Sequence, residues 1–262
     1  MFDRIGVNQW IEGMSNFKPY DVEFYMWGGE PFCIDDTFSL VKGFCSYEHV
    51  KWARIDHNMT KVDKIIELCP SPKVKINCSW HTERFSFEEI FRKTVLLHKY
   101  DMVGMVNFVA SDSNLKYLKD NSLEIEDLIK KFMDEGIFMN VAADFSKGND
   151  LDYKKFITRY MTFEDWDYIH GLKPCFNVSC DAGESLFTVE HEGNFSVCAD
   201  GSIAGNYFSG EINRKMIRCR KKECRSIISY CHRLDNDFSP IRHLEDFSAR
   251  TIMHRKKTGV LA

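Results

Sequence analysis

Six of the ten cysteines are concentrated within 57 residues of the last third of the chain. They are Cys175, Cys180, Cys198, Cys219, Cys224 and Cys231. Thiolates gathered from a hairpin and a following loop are the ligands that an iron–sulfur cluster or a structural zinc ion requires. The sequence has no Cys-x2-Cys pair, which favours an iron–sulfur cluster over a zinc knuckle. The alternative is a set of buried thiols without a ligand role.

A second candidate site consists of Gly28, Gly29, Glu30 and Pro31, which directly follow an apolar segment. Two glycines let a ligand approach the backbone closely. A carboxylate at the carboxyl end of a parallel strand lies where α/β folds bind ligands. The same four residues are also compatible with a tight turn that binds nothing.

The elements that must position these residues are predicted from the pattern of apolar residues up to residue 145. Strands are predicted at 22–27, 52–56, 74–78, 102–109 and 137–142. Helices are predicted between them, one with Thr60 as its N-cap and one that begins at the capping box of Ser86 and Glu89. Gly136 is predicted to end a later helix. This repeated βα order predicts an α/β fold with a parallel sheet.

The pattern changes in the second part of the chain. One more helix is predicted over 153–170, rich in aromatic residues. Beyond it, short strands and turns alternate, and two apolar segments flank Gly193 as in a β-hairpin. We therefore predict two domains, at 1–170 and 171–262, the second small and rich in cysteine.

Composition limits the possible classes of protein. The 262 residues are 44% hydrophobic, enough to bury a core, and the net charge of −4 argues against a general nucleic-acid binder. The longest apolar run, 102–110, is too short to span a bilayer, and the first residues lack the pattern of a secretory signal. We expect a cytoplasmic protein with reduced cysteines and no membrane association.

Both candidate sites resemble motifs of one family. The segment VEFYMWGGEPF, residues 22–32, resembles the second strand of a radical S-adenosylmethionine (radical SAM) barrel. The spacing from Cys180 through Gly193 to Cys198 resembles the opening of the auxiliary iron–sulfur domain called SPASM, or its shorter relative called twitch. The two motifs occur in the order found in that family, and the resemblance covers nearly the whole chain.

The resemblance implies a partial (β/α) TIM-like barrel followed by a small Cys-rich α+β domain. It implies that the Gly-Gly-Glu-Pro motif at 28–31 binds the amino group of the methionine part of S-adenosylmethionine. Asn58 and Ser79 follow the next two strands and match positions near the cofactor pocket and its ribose. For each of these two residues the alternative is a cap of a turn or helix.

The resemblance also implies one auxiliary [4Fe–4S] cluster. The implied ligands are Cys180, Cys198 and Cys231, with either Cys224 or Cys219 as the fourth, and Cys175 is expected to be a bystander. Seven basic residues from 214 to 225 surround two of these cysteines. Such cations would stabilise an anionic cluster or receive an acidic peptide, or they form a solvated loop.

One defining motif of the family is missing. Radical SAM proteins carry Cys-x3-Cys-x2-Cys upstream of the Gly-Gly-Glu-Pro motif, and no two cysteines of this sequence have three residues between them. The chain is expected to be a fragment of a longer protein, which the retained motif at 28–31 favours, or a degenerate relative. Its catalytic residues are therefore unknown, and it is expected not to cleave S-adenosylmethionine by itself.

In its complete form, the resemblance implies an enzyme that cleaves S-adenosylmethionine to a 5′-deoxyadenosyl radical, which abstracts hydrogen from a substrate. A peptide or protein is the leading substrate class, and a flavodoxin or ferredoxin is the expected reductant. Two alternatives remain open. One is a non-catalytic binding or electron-transfer module with only the auxiliary cluster, and the other is a zinc-stabilised interaction protein.

Overall fold

The computed structural model describes two compact units. The described residues are 5–26, 28–148, 150–161, 166, 167, 170, 174–198, 202–215 and 217–224. One unit comprises Phe17–Asp144, and the other comprises the residues up to Asn16 together with those from Phe145 onward. The domain boundary predicted near residue 170 is flanked by residues outside the described part and stays a prediction.

The unit Phe17–Asp144 is built on a five-stranded parallel sheet. The strands are β1 (Val22–Met26), β2 (Val50–His57), β3 (Val74–Ser79), β4 (Val103–Val109) and β5 (Met139–Ala142). Strands that are consecutive in sequence are neighbours in the sheet, and each pair is parallel. The predicted α/β class with a parallel sheet is confirmed, and the unit is compatible with part of a β/α barrel.

Helices connect the strands, as parallel pairing requires. The connecting helices are α2 (Asp36–Cys45), α3 (Val62–Leu68), α4 (Phe87–His98), α5 (Asp112–Asp120) and α6 (Ile125–Asp134). Two further helices, α1 (Val7–Gly13) and α7 (Leu151–Ile157), belong to the other unit. The capping box of Ser86 and Glu89 is confirmed at the start of α4. Gly136, with φ of +74°, follows α6 as predicted. Thr60 is not the N-cap of α3, because its N–H and hydroxyl both donate to Asn58 Oδ1.

One face of the parallel sheet is apolar. Ile55 lies beside Ile76 on this face, Val106 lies on the next strand, and all three are fully buried. Helix α2 packs against the face through Phe44, whose ring lies edge-on 5.0 Å from the ring of Phe24. This apolar face holds the core of the unit.

The opposite face of the same sheet is polar. Asp56 lies beside Asn77 across β2 and β3, and Asn107 lies beside Asn140 across β4 and β5. The Asn140 side-chain amide donates to Asn107 Oδ1 at 2.8 Å. Parallel strands are usually apolar on both faces, so a row of polar side chains indicates a face that meets a ligand or solvent.

The second unit contains short antiparallel strands. They are β6 (Ser179–Cys180), β7 (Thr188–Val189), β8 (Asn194–Ser196), β9 (Ile203–Asn206), β10 (Glu211–Ile212) and β11 (Ile217–Arg218). The hairpin predicted around Gly193 is confirmed by the pairing of β7 with β8. The helix predicted over 153–170 is shorter, since α7 ends at Ile157 and the Thr158 hydroxyl donates to the Lys154 carbonyl in the closing turn.

In the second unit, α1 packs against the turn that follows β9. The Tyr207 hydroxyl donates to the Trp10 carbonyl at 2.6 Å, and the Trp10 and Phe208 rings lie edge-on with centroids 4.7 Å apart. A Cβ added at Gly13 would lie 2.9 Å from Tyr207 Cδ1 and still closer to Cε1. Glycine at this position lets the helix and the aromatic turn approach closely.

We therefore expect Gly13→Ala to lower the free energy of unfolding by about 1–3 kcal/mol, because the added methyl group overpacks this contact. Helix propensity alone would make the alanine variant more stable by up to about 1 kcal/mol. A lower free energy of unfolding would therefore show that the added methyl group clashes with Tyr207. Gly6→Ala is the control, since no described atom lies within 4 Å of its added Cβ. Urea unfolding measures both variants, and a Gly13→Ala variant as stable as wild type would contradict the packing.

Candidate functional site

The turn after β1 presents two glycines with open space in front of them. Gly28 has φ of +87° and Gly29 has φ of +60°, a backbone region that side chains disfavour. A Cβ added at either position would meet none of the described atoms within 4 Å. Pro31 then begins a short 3₁₀ turn, and its carbonyl accepts a hydrogen bond from the Thr37 hydroxyl at 2.7 Å. The backbone at 28–29 is therefore accessible to a ligand.

Glu30 holds a largely buried carboxylate beside this turn. Its Oε2 accepts the Asn58 N–H at 2.8 Å, and the side chain is 14% exposed. Burial raises the pKa of Glu30, although backbone N–H groups of Asn58 and Phe32 and the charges of His81 and Arg84 act in the opposite direction. A cationic group bound here would restore the stabilisation that burial removes from the ionised carboxylate.

His57, the last residue of β2, lies against Glu30. Its Nδ1 accepts the Met59 N–H at 3.0 Å, and its Nε2 lies 3.4 Å from Glu30 Oε1. Burial, together with the charges of Lys93 and Lys61, lowers the pKa of His57 to about 3. The imidazole is therefore neutral near pH 7, so the contact with Glu30 is not an ion pair.

Asn58 and Ser79 lie at the carboxyl ends of neighbouring strands, as predicted. Asn58 contributes its main-chain N–H to Glu30, whereas its side chain accepts from Thr60 and closes a turn. Ser79 lines a cavity of about 370 Å³ at the end of β3 and β4. The other residues that line this cavity are Trp80, His81, Glu83, Asn107, Val109, Ser111, Ser113 and Asn114. This cavity offers hydroxyl and amide groups to a polar ligand.

A hydrogen-bonded network covers the polar face of β1, β2 and β3. Asp56 accepts from the Tyr25 hydroxyl at 2.5 Å and from the Asn77 side-chain amide at 2.6 Å. The Arg54 guanidinium lies 4.6 Å from the centre of the Tyr25 ring. Tyr25, Arg54 and Asn77 were not identified from the sequence as site residues, although their alternate positions in the strands could have indicated a shared face.

The pairing of β6 with β11 brings the segments that carry Cys180 and Cys219 side by side. The Cys175 and Cys219 Sγ atoms lie 3.4 Å apart, so the expected bystander Cys175 is in contact with an expected ligand. Burial raises the pKa of Cys180 to about 11, and the nearby Cys198 and Cys224 thiols contribute to the increase. The nine described cysteines form no disulfide with one another.

These thiols suit a cluster by their chemistry. Thiolates are the common ligands of iron–sulfur clusters, and the described thiols come from segments that lie side by side. Within the described part of the chain, no three His, Cys, Asp or Glu side chains are close enough to hold one metal ion. Cys231, the remaining predicted ligand, lies outside the described residues.

The buried imidazole gives a testable pH dependence. The pKa of His57 is about 3 in the folded state and about 6.5 in an unfolded chain, so the unfolded state holds one more proton between these pH values. The free energy of unfolding should therefore fall by about 1.4 kcal/mol for each pH unit below 6.5. Chemical denaturation at pH 6.5 and at pH 5 measures this slope. The His57→Gln variant should show a smaller slope than wild type. The control variant His191→Gln changes an exposed histidine and should keep the wild-type slope. Equal slopes in wild type and His57→Gln would contradict the burial of His57.

Comparison with known protein-family models and with curated proteins gives no match to this chain. Among the described residues, every helix is too short or too polar to cross a lipid bilayer. The arguments for function therefore depend on the chemistry of the carboxyl edge of the parallel sheet and of the cysteine-rich segment.

Proposed function

We propose that this chain binds S-adenosylmethionine at the carboxyl edge of its parallel sheet, as a protein of the radical SAM type. The observation that supports this most strongly is the Gly28–Gly29 turn, open in front of both glycines, with the buried Glu30 carboxylate beside it. A buried carboxylate is suited to an ammonium group. The resemblance of residues 22–32 to the radical SAM strand supplies the identity of the ligand.

Three parts of the ligand have a proposed partner at this edge. The Glu30 carboxylate accepts hydrogen bonds from the ammonium group, and the Asn58 N–H holds that carboxylate in place. The backbone at Gly28 and Gly29 lies along the methionine part. Ser79, which lines the polar cavity, is the residue proposed to contact the ribose.

An iron–sulfur centre in the second unit belongs to the proposal. Cys180, Cys198 and Cys231 would hold it, with either Cys224 or Cys219 as the fourth ligand. Such clusters supply one-electron transfer when bound. The thiol of Cys180 must lose its proton to act as a ligand, so assembly should release protons at neutral pH. The Cys-x3-Cys-x2-Cys motif is not in the sequence. We therefore propose that this chain binds S-adenosylmethionine but does not cleave it by itself.

The proposed substrate is a peptide or protein, and the proposed reductant is a flavodoxin or ferredoxin. The polar face with Tyr25, Asp56 and Asn77 supports a substrate rich in hydrogen-bonding groups. Exposed cations between residues 214 and 222 would attract an acidic partner. The nine described cysteines form no disulfide with one another, which suits a reducing compartment, and we propose the cytoplasm.

Equilibrium dialysis with radiolabelled S-adenosylmethionine under anaerobic conditions tests the proposal. Wild type should bind the ligand, and Gly28→Ala should lose most of this binding because its methyl group enters the open space. Gly136→Ala is a matched control, since both glycines have positive φ, of +87° and +74°, and substitution costs each about 1–2 kcal/mol of backbone strain. Absence of binding to wild type, or equal binding to both variants, would overturn the proposal.

A further inference from the structure

His57 is enclosed so completely that it acts only through its neighbours. Its side chain is 0% exposed, and the Phe32 ring lies edge-on to it with centroids 5.5 Å apart. The Met59 N–H donates to Nδ1, which places the proton of the neutral ring on Nε2. A ligand in the open space at Gly28 therefore does not touch the imidazole, whose one available group is the Nε2–H.

The Nε2–H group faces a carboxylate oxygen. Glu30 Oε1 lies 3.4 Å from Nε2, and in the described part of the chain neither atom has a hydrogen-bond partner. Two buried polar atoms that face each other just beyond hydrogen-bond distance need only a small movement of Glu30 to pair. The other oxygen, Oε2, is already held by the Asn58 N–H.

We propose that His57 is a positioning residue that fixes the Glu30 carboxylate for a primary ammonium group, such as that of an amino-acid moiety. The inference rests on the proposed binding of S-adenosylmethionine. A neutral donor has an advantage here, because a Lys or Arg at this position would form an ion pair with Glu30 and compete with the ligand. The neutral imidazole restricts the carboxylate and leaves its negative charge for the ligand.

Binding of two ligands distinguishes a positioning role of His57 from a general structural effect of its substitution. S-adenosylmethionine carries the ammonium group, and 5′-methylthioadenosine lacks the whole amino-acid part. We expect His57→Leu to weaken binding of S-adenosylmethionine about tenfold, the usual effect of one hydrogen bond to a charged group, and to leave 5′-methylthioadenosine unchanged. His57→Gln, which keeps an N–H donor, should recover most of the loss. In a Glu30→Gln background, His57→Leu should have no further effect.

The outcomes distinguish the inference from the function on which it rests. If wild type does not bind S-adenosylmethionine, both fail. If wild type binds it and Glu30→Gln weakens binding, but His57→Leu does not, the positioning role alone is wrong. Equal losses for both ligands in His57→Leu would show a structural role instead.

A measurement on wild-type protein covers the case in which the leucine variant does not fold. Nitrogen NMR of the histidine rings should show His57 as the Nε2–H tautomer, with an Nε2 resonance that shifts when S-adenosylmethionine is added. An Nδ1–H tautomer, or an Nε2 resonance that does not change with saturating ligand, would overturn the inference.

Discussion

Glu30→Gln is expected to weaken binding of S-adenosylmethionine by about thirtyfold or more. The substitution preserves shape and the acceptor for the Asn58 N–H, but it removes the charge that pairs with the ligand ammonium. Removing one partner of a buried charge pair costs about 2 kcal/mol or more, which corresponds to this factor. Calorimetric titration of wild type and variant measures the change.

Glu67→Gln is the control for this variant, because Glu67 is an exposed residue of α3 that the proposed site does not use. It should change the affinity for S-adenosylmethionine little.

Burial raises the pKa of Glu30, so the ionised carboxylate destabilises the folded state at neutral pH. Glu30→Gln should therefore be at least as stable as wild type at pH 7, with the difference lost below about pH 4. If Glu30→Gln binds S-adenosylmethionine as tightly as wild type does, Glu30 is not part of the binding site.

Cys180→Ser is expected to abolish most iron uptake after anaerobic reconstitution. Cys180 lies on β6, which pairs with the strand that precedes Cys219, and its thiol is near Cys198 and Cys224. Because thiolate ligation contributes free energy to the folding of so small a domain, the variant should also lose protection from proteolysis after residue 171. Elemental analysis and limited proteolysis measure the two effects.

Cys33→Ser is the control, since Cys33 is exposed and lies in the other unit. Full iron content in both Cys180→Ser and Cys198→Ser would contradict the ligand assignment. Stoichiometric zinc without iron in the native protein would favour the zinc-stabilised interaction protein instead. Cluster binding without S-adenosylmethionine binding would favour an electron-transfer module.

The periodicity of the sequence was sufficient to predict the parallel sheet, because buried strands and amphipathic helices have different spacings of apolar residues. It did not predict α5, whose nine residues include only two buried side chains. It placed the start of α3 at Thr60, where a side-chain contact with Asn58 competes with capping. Local hydrogen bonds therefore shifted element ends without changing the topology.

The candidate site was predictable only in part. The Gly-Gly-Glu-Pro motif is continuous in sequence, so its turn could be recognised there. The contact of His57 with Glu30 depends on how β2 lies beside β1, and the bonds of Asp56 to Tyr25 and Asn77 depend on the register of three strands. The contact between Cys175 and Cys219 likewise depends on the pairing of β6 with β11. Such pairings cannot be derived from spacing alone.

Hydrogen exchange of the wild-type chain with and without S-adenosylmethionine is the most direct test of the proposed site, because it locates the bound ligand. We expect slower exchange in the peptides that cover 26–34 and 57–60, where the glycine turn, Glu30 and the Asn58 N–H lie. Exchange after residue 174 should change little. No change in either peptide at saturating ligand, or protection confined to the cysteine-rich unit, would contradict the proposed site.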